Sequence, residues 1–362
     1  MAISTQARTQ PIGLPETQAA VASTLQAFFD CHIAQAAQID PAYQALWQTL
    51  EKVSFDGGKR MRPYLMLLAF QAFNPGTVRP IIPIAASLEL LHISMLIHDD
   101  VIDRDDIRHG RPNVSGSYLS RYAAFVPDEA NRRHYADSAA ILAGDLALSS
   151  AYLLAGEAKV SEAQRLLAQR LLGEAVFNVA GGELIDTEAS FLHDSAPDPM
   201  TIYRYKTASY SFVSPLTVGA RLAGADETAV MQLRQFGLLL GIAFQLTDDL
   251  LGVFGNEADT GKSTVGDIRE GKHTYLAAQT RQLCPAADRQ QFDALYGKQD
   301  LTEEEARQVR TIMERSGARA RTEAAADDHG RQAAEILRGI AMDEAIRPPL
   351  EELIVRCTRR SY

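Results

Sequence analysis

The chain has 362 residues, 46% of them apolar, with 36 Lys and Arg against 46 Asp and Glu and a net charge of −10. That length buries a sizeable core without disulfides or a structural metal, and the composition excludes a wholly disordered, collagenous or coiled-coil protein. The acidic balance argues against a nucleic-acid binder, which needs a cationic surface. Cys31, Cys284 and Cys357 lie far apart with no CxxC spacing, which fits reduced thiols in the cytoplasm better than a zinc site or a disulfide framework.

Residues 1–15 carry Pro, Gln, Ser and Thr and read as a flexible tail with no secretory signal. Residues 16–362 read as one all-helical domain, because helical periodicity dominates and alternating strand patterns are scarce. The spacing predicts helices over 17–38, 42–52, 59–73, 80–103, 138–157, 161–192, 200–222, 227–255, 271–283, 302–341 and 346–359. Those over 80–103, 138–157 and 227–255 are apolar around most of their circumference, which suits the middle of a bundle. The stretch 104–137 holds charges, Gly110, Pro112, Gly116 and Pro127 and reads as an irregular functional loop or lid. The apolar run Gly237–Leu246 is too short for a bilayer, which takes about 20 residues, so no membrane span is expected.

The sharpest feature is Asp99, Asp100 and Asp103 at the end of an apolar approach, Ile93–Ile97. With Asp99 as origin on a helix, Asp100 falls at about 100° and Asp103 at about 40°, one arc of about 100°. Close carboxylates disfavour joint ionisation, and acids at a helix C-terminus oppose the macrodipole. A bound divalent cation removes the cost; taken alone, the cluster reads equally as a solvated helix end. Asp248 and Asp249 repeat the pair at the end of the apolar run Phe236–Phe254, which suggests facing walls of one cavity. Oxygen-only clusters favour Mg²⁺ shared with substrate phosphates.

Gly57-Gly58-Lys59-Arg60-Met61-Arg62-Pro63 sets three cations beside two glycines at a helix start, a diphosphate pocket by its chemistry. Taken alone it reads more readily as a solvated helix start. It is not a P-loop, and Gly261-Lys262-Ser263 lacks the upstream glycine and strand that one needs. Further cations stand at Arg108, Arg111, Lys206, Lys262 and Lys272.

Six elements in order resemble the trans-isoprenyl diphosphate synthase (polyprenyl synthetase) family. Gly57–Pro63 is similar to its GGKRxRP segment, and Asp99, Asp100 and Asp103 to its first aspartate-rich motif, preceded by Glu89-Leu90-Leu91-His92. Tyr205-Lys206-Thr207 is similar to its YKT segment, and Gln245-Leu246-Thr247-Asp248-Asp249 to its second acidic motif. Gly261-Lys262 and Asp267–Lys272 are similar to the elements that follow. The resemblance implies an all-α isoprenoid-synthase-type bundle around a central cavity, usually a homodimer, and Mg²⁺-dependent head-to-tail prenyl transfer. It implies three Mg²⁺ held by Asp99, Asp103 and Asp248, with Asp100 and Asp249 in support. Arg108, Lys206 and Lys262 would bind the allylic diphosphate, with Lys272 in the same basic set. Isopentenyl diphosphate would sit against Gly58, Lys59, Arg62 and His92. Thr207 and Gln245 would present oxygens to the allylic cation.

Two departures from the family pattern stand out. The second motif reads Asp248-Asp249-Leu250-Leu251-Gly252 where a third Asp is common, and Arg108-His109 replaces Arg-Arg. The first implies weaker metal affinity, and the second weaker isopentenyl diphosphate binding, with Arg111 as a stand-in. Product length depends on the cavity floor below Asp99, where Ser94 leaves space and Met95 narrows it; this points to the twenty-carbon geranylgeranyl diphosphate. The competing readings are a synthase of longer or shorter product, a class I terpene cyclase, and a non-catalytic regulatory subunit of a prenyl synthase.

Overall fold

The computed structural model describes residues 10–192, 197–255 and 265–358. It is helical nearly throughout. Among the described residues the only strands are β1 (Ile107–Arg108) and β2 (Arg111–Pro112), an antiparallel pair with Arg108 opposite Arg111. The chain forms two compact units, Met1–Glu174 with Val218–Ala225, and Ala175–Thr217 with Asp226–Tyr362.

In the first unit α1 (Leu14–Ala36), α2 (Pro41–Phe55), α3 (Met61–Gln71), α4 (Ile82–Ile102), α5 (Val114–Tyr122) and α6 (Glu129–Gly156) precede the first half of α7 (Glu162–Ala189). The first helix starts at Leu14, inside the expected tail. The residues just before it are tied to α3, since Ile12 N–H donates to Gln71 Oε1 at 2.8 Å. α4 packs along α6 and against α1 and α3, and its residues from Ile84 to Leu91 are all buried. Gly144 on α6 makes that packing close, because the His98 imidazole occupies the space a side chain there would fill.

The segment 104–137 is more ordered than expected. It holds the β1–β2 hairpin, α5 and the first turns of α6. Asn113 and Asp128 each accept a hydrogen bond from a backbone N–H in the first turn that follows, Gly116 and Asn131, and so start α5 and α6. Both helix starts are polar, so hydrophobic periodicity alone did not reveal them. The hairpin turns on His109 and Gly110, with φ of 53° and 72°, the two left-handed residues that a tight two-residue turn requires.

The second unit contains the rest of α7, then α8 (Pro199–Ile202), a π-helical stretch Tyr203–Val213, the start of α9 (Ser214–Leu222) and α10 (Glu227–Phe254). After these come α11 (Gly266–Glu270), α12 (Tyr275–Leu283), α13 (Ala286–Leu295), α14 (Glu303–Arg315), α15 (Ala318–Gly339) and α16 (Arg347–Thr358). α10 lies against the π-helical stretch, α15 and α16. A side chain at Gly241 would run into Ala208, so the glycine sets the approach of α10 to that stretch. Three expectations fail here for local reasons. The helix expected over 200–222 widens into a π-helix, a feature often found at functional sites. The helix expected from 271 begins at Tyr275, because Gly271 is left-handed (φ 68°) and Thr274 caps the next helix. The helix expected over 302–341 breaks at Gly317 (φ 83°). α13, which anchors the fully buried Phe292, was not expected.

By length and composition Arg79–Ile102, Glu129–Gly156 and Glu227–Phe254, longer than the run Gly237–Leu246 read from the sequence, are each long and apolar enough to cross a membrane. Their most apolar windows are 67%, 50% and 67% buried within the protein, as helices apolar nearly all round are in the middle of a bundle.

Candidate active site

The first unit assembles one group of site residues around the C-terminal half of α4. Gly57, Gly58 and Arg60 are all left-handed, with φ of 95°, 89° and 53°. This contortion delays α3 to Met61 and turns the Arg60 side chain inward. Its guanidinium is 7% exposed and donates to Glu89 Oε1 at 2.6 Å and to the Ser54 carbonyl at 2.7 Å. Arg60 is therefore an internal anchor of the loop. Lys59 beside it is exposed and Arg62 half-buried.

A cavity of about 80 Å³ opens here, lined by Gly57, Gly58, Arg60, His92, Asp100, Arg108 and His109 among others. It brings together Gly58, His92, Arg108 and His109; Lys59 and Arg62 do not line it. Burial, together with the charges of Arg62, Arg108 and Arg60, holds the His92 imidazole well below its ordinary pKa. His92 is thus a neutral hydrogen-bonding group at neutral pH. His109 stands over Gly57, its Cδ2 3.5 Å from where a Gly57 side chain would begin. Arg111, on the other side of the turn, is ion-paired with Asp56, which ties the hairpin to the loop after α2. The other carboxylate oxygen of Asp56 is buried without a hydrogen-bond partner.

Asp99, Asp100 and Asp103 end α4 as expected but differ in environment. Asp103 is exposed, Asp99 half-buried and Asp100 4% exposed. Arg108 donates from Nε to Asp100 Oδ1 at 2.8 Å and from Nη2 to Asp99 Oδ2 at 3.1 Å. Burial pushes the Asp100 carboxyl up to about 6, against the pull of Arg108. Ser94 is wholly buried and its hydroxyl has no hydrogen-bond partner, while Met95 is half-buried.

The second unit assembles the other group. Gly182 on α7 admits the backbone of Tyr205 and Lys206 where a side chain would collide. Lys206 then donates to Asp186 at 2.6 Å and to Glu183 at 3.0 Å. Thr207 Oγ1 donates to Gln245 Oε1 at 2.8 Å, and Gln245 Nε2 donates to Asp249 Oδ1 at 2.8 Å. Tyr203 donates to the other oxygen of Asp249 and accepts from the Tyr275 N–H at 2.6 Å. Burial pushes the Asp249 carboxyl up to about 8, opposed by the hydrogen bonds from Tyr203 and Gln245 and reinforced by Asp248 and Asp267. Asp248 is half-buried. Lys272 pairs with Glu270 at 2.9 Å and Asp267 at 3.4 Å. Lys262 lies outside the described residues. Sequence reasoning missed Tyr203, the pairing of Glu183 with Lys206 and of Asp56 with Arg111, and Arg60's anchoring role, because nothing in the local sequence names their partners.

Among the described residues no three acidic, imidazole or thiol groups already converge as a metal cage. Mg²⁺ does not require one, since it commonly takes one or two carboxylates and completes its shell with water and phosphate oxygens. Asp99 and Asp103, one helical turn apart and reached by solvent, and Asp248 fit that donor chemistry. Asp100 and Asp249 are buried.

Residues 43–313 match the model of the polyprenyl synthetase family. The chain is 31% identical over 252 residues to the geranylgeranyl diphosphate synthase of Sulfolobus acidocaldarius, covering 69% of this chain and 71% of that relative. It is 31% identical over 313 residues to heptaprenyl diphosphate synthase component 2 of Geobacillus stearothermophilus, covering 84% and 87%. The crystal structure of a geranylgeranyl pyrophosphate synthase from Corynebacterium glutamicum, complexed with isoprenyl diphosphate and magnesium, aligns with a TM-score of 0.89 at 30% identity. That alignment covers 96% of this chain and 100% of that one.

Proposed function

The chain belongs to the polyprenyl synthetase family and is a prenyltransferase, and from that premise we propose that it condenses isopentenyl diphosphate with allylic diphosphates head to tail to give all-E geranylgeranyl diphosphate. The observation that carries the product length is Ser94. It is a small residue, wholly buried one helical turn before Asp99, where a bulky side chain would stop growth early.

The residues divide the work by chemistry. Asp99, Asp103 and Asp248 would hold three Mg²⁺ ions, which would supply positive charge to the departing diphosphate. Arg108, Lys206, Lys262 and Lys272 bind the outer oxygens of the allylic diphosphate. Arg108 and Lys206 are now held by carboxylates, which phosphate oxygens would replace. Gly58, Lys59, Arg62, His92 and His109 receive isopentenyl diphosphate. The left-handed glycines let its oxygens reach the backbone, and neutral His92 contributes a hydrogen bond without a charge. Thr207 and Gln245 turn oxygens toward the allylic cation, which the isopentenyl double bond captures when held close. The proton is then lost to the released pyrophosphate. Segment 104–137, with its β1–β2 hairpin, and the loop 255–268, most of which lies outside the described residues, are the candidates for closing the site against water.

A homodimer belongs to the same reading. Ile141, Leu142 and Leu153 on α6 and Phe177 and Leu184 on α7 are 46–82% exposed, apolar surface that a second copy would cover. So does a cytoplasmic location, supported by three cysteines that form no disulfide. The test is a product assay with isopentenyl diphosphate and five-, ten- and fifteen-carbon allylic diphosphates, read by mass spectrometry with and without EDTA. An EDTA-sensitive twenty-carbon product is expected. Arrest at fifteen carbons, or growth beyond twenty, overturns the assignment of length.

A further inference from the structure

The adjacent acids Asp248 and Asp249 sit in different surroundings. Asp249 is 6% exposed and both its oxygens accept hydrogen bonds, one from Tyr203 and one from Gln245. Asp248 is half-buried and on a different side of the helix.

The directions of these hydrogen bonds follow from their starting point. The Tyr275 N–H can only donate, so the Tyr203 oxygen accepts there and its own proton goes to Asp249. Asp249 Oδ1 is then an acceptor, so Gln245 must turn its amide nitrogen to it and its oxygen to Thr207. The Thr207 proton is committed to Gln245, which leaves its lone pairs for a positive centre.

We infer that Asp249, anchored by Tyr203, is a positioning residue that orients Gln245 and Thr207. This rests on the prenyl-transfer reading above. It gives Tyr203 a role in the reaction.

The experiment titrates Mn²⁺ in the presence of inorganic pyrophosphate, followed by electron paramagnetic resonance, on the full chain and on Asp248→Asn, Asp249→Asn and Tyr203→Phe. Asp248→Asn weakens Mn²⁺ binding by about tenfold or more, while Asp249→Asn and Tyr203→Phe leave it within about twofold, as outer partners not bonded to the ion. Tyr203→Phe lowers kcat by about tenfold without raising the isopentenyl diphosphate KM. Asp249→Ala loses more kcat than Asp249→Asn, whose amide still accepts from Gln245. Equal loss of Mn²⁺ affinity in Asp248→Asn and Asp249→Asn, or an unchanged kcat in Tyr203→Phe, overturns the inference. Failure of the unaltered chain to lengthen any allylic diphosphate overturns instead the reaction it rests on.

Discussion

The carboxylate of Asp267 occupies the space that a side chain at position 252 would fill, so a third carboxylate on α10 has to displace Asp267 from where it now stands. The departure at Gly252 is thus coupled to a tertiary contact. An Asp there would collide with Asp267 and set two like charges together. Gly252→Asp is expected to destabilise the fold by about 1–3 kcal/mol, as overpacking does, and not to improve Mn²⁺ affinity. Urea denaturation checks the first and the Mn²⁺ titration the second. Pairing it with Asp267→Ala should recover part of the loss, a coupling that a double-mutant cycle reads directly.

Arg60 and Lys59, neighbours in one basic motif, should separate cleanly. Arg60→Ala strands Glu89 as a buried charge and is expected to cost about 3–5 kcal/mol of stability. Lys59→Ala touches an exposed side chain and should leave the melting temperature unchanged while raising the isopentenyl diphosphate KM. Unfolding curves and steady-state kinetics on the two variants distinguish anchor from ligand.

His109 replaces an arginine in the family pattern and sits over Gly57 at the hairpin turn. His109→Arg adds a permanently charged, forked donor and is expected to lower the isopentenyl diphosphate KM by about three- to tenfold, the scale of one charge-assisted hydrogen bond. An unchanged KM removes His109 from that subsite.

Ser94→Phe should shorten the product to fifteen carbons, read by mass spectrometry; an unchanged product removes Ser94 from the floor. Ser94→Ala should keep the product and raise the melting temperature slightly, because it deletes a buried hydroxyl that has no hydrogen-bond partner.

His92 gives the fold an acid-sensitive term. Its folded pKa lies well below the ordinary imidazole value, so below about pH 6.5 the unfolded chain takes up a proton that the folded chain refuses. Stability is full above that value and falls as the pH drops toward the folded pKa. Compared with His92→Gln, the unaltered protein should lose stability as the pH falls below about 6.5 in urea titrations. Parallel curves would show that His92 is not held neutral.

The helices apolar all round, α4 and α10, and the acids that end them were legible because periodicity and local spacing are properties of a short window of sequence. Gly57 and Gly58, just before Lys59, were legible as a place of close backbone approach, while the left-handed Arg60 after it was not. The helix starts at Asn113 and Asp128 were missed because polar capping residues in a charged segment carry no hydrophobic period. The π-helical stretch was missed because the sequence from Tyr203 to Val213 reads as ordinary helix, and its widening accompanies close packing at Gly182 and Gly241.

What the sequence determined by itself was the set of chemical groups and their order along the chain: two acidic helix ends, a basic glycine loop, and a Lys-Thr pair with its Gln. What only the tertiary structure decided was which of those groups are engaged inside the protein. Arg60 finds Glu89 29 residues away, and Asp249 finds Tyr203 46 residues away. The physical reason is that burial and hydrogen-bond partnership are set by whichever distant side chain shares the same desolvated space, and that space exists only after the helices have packed.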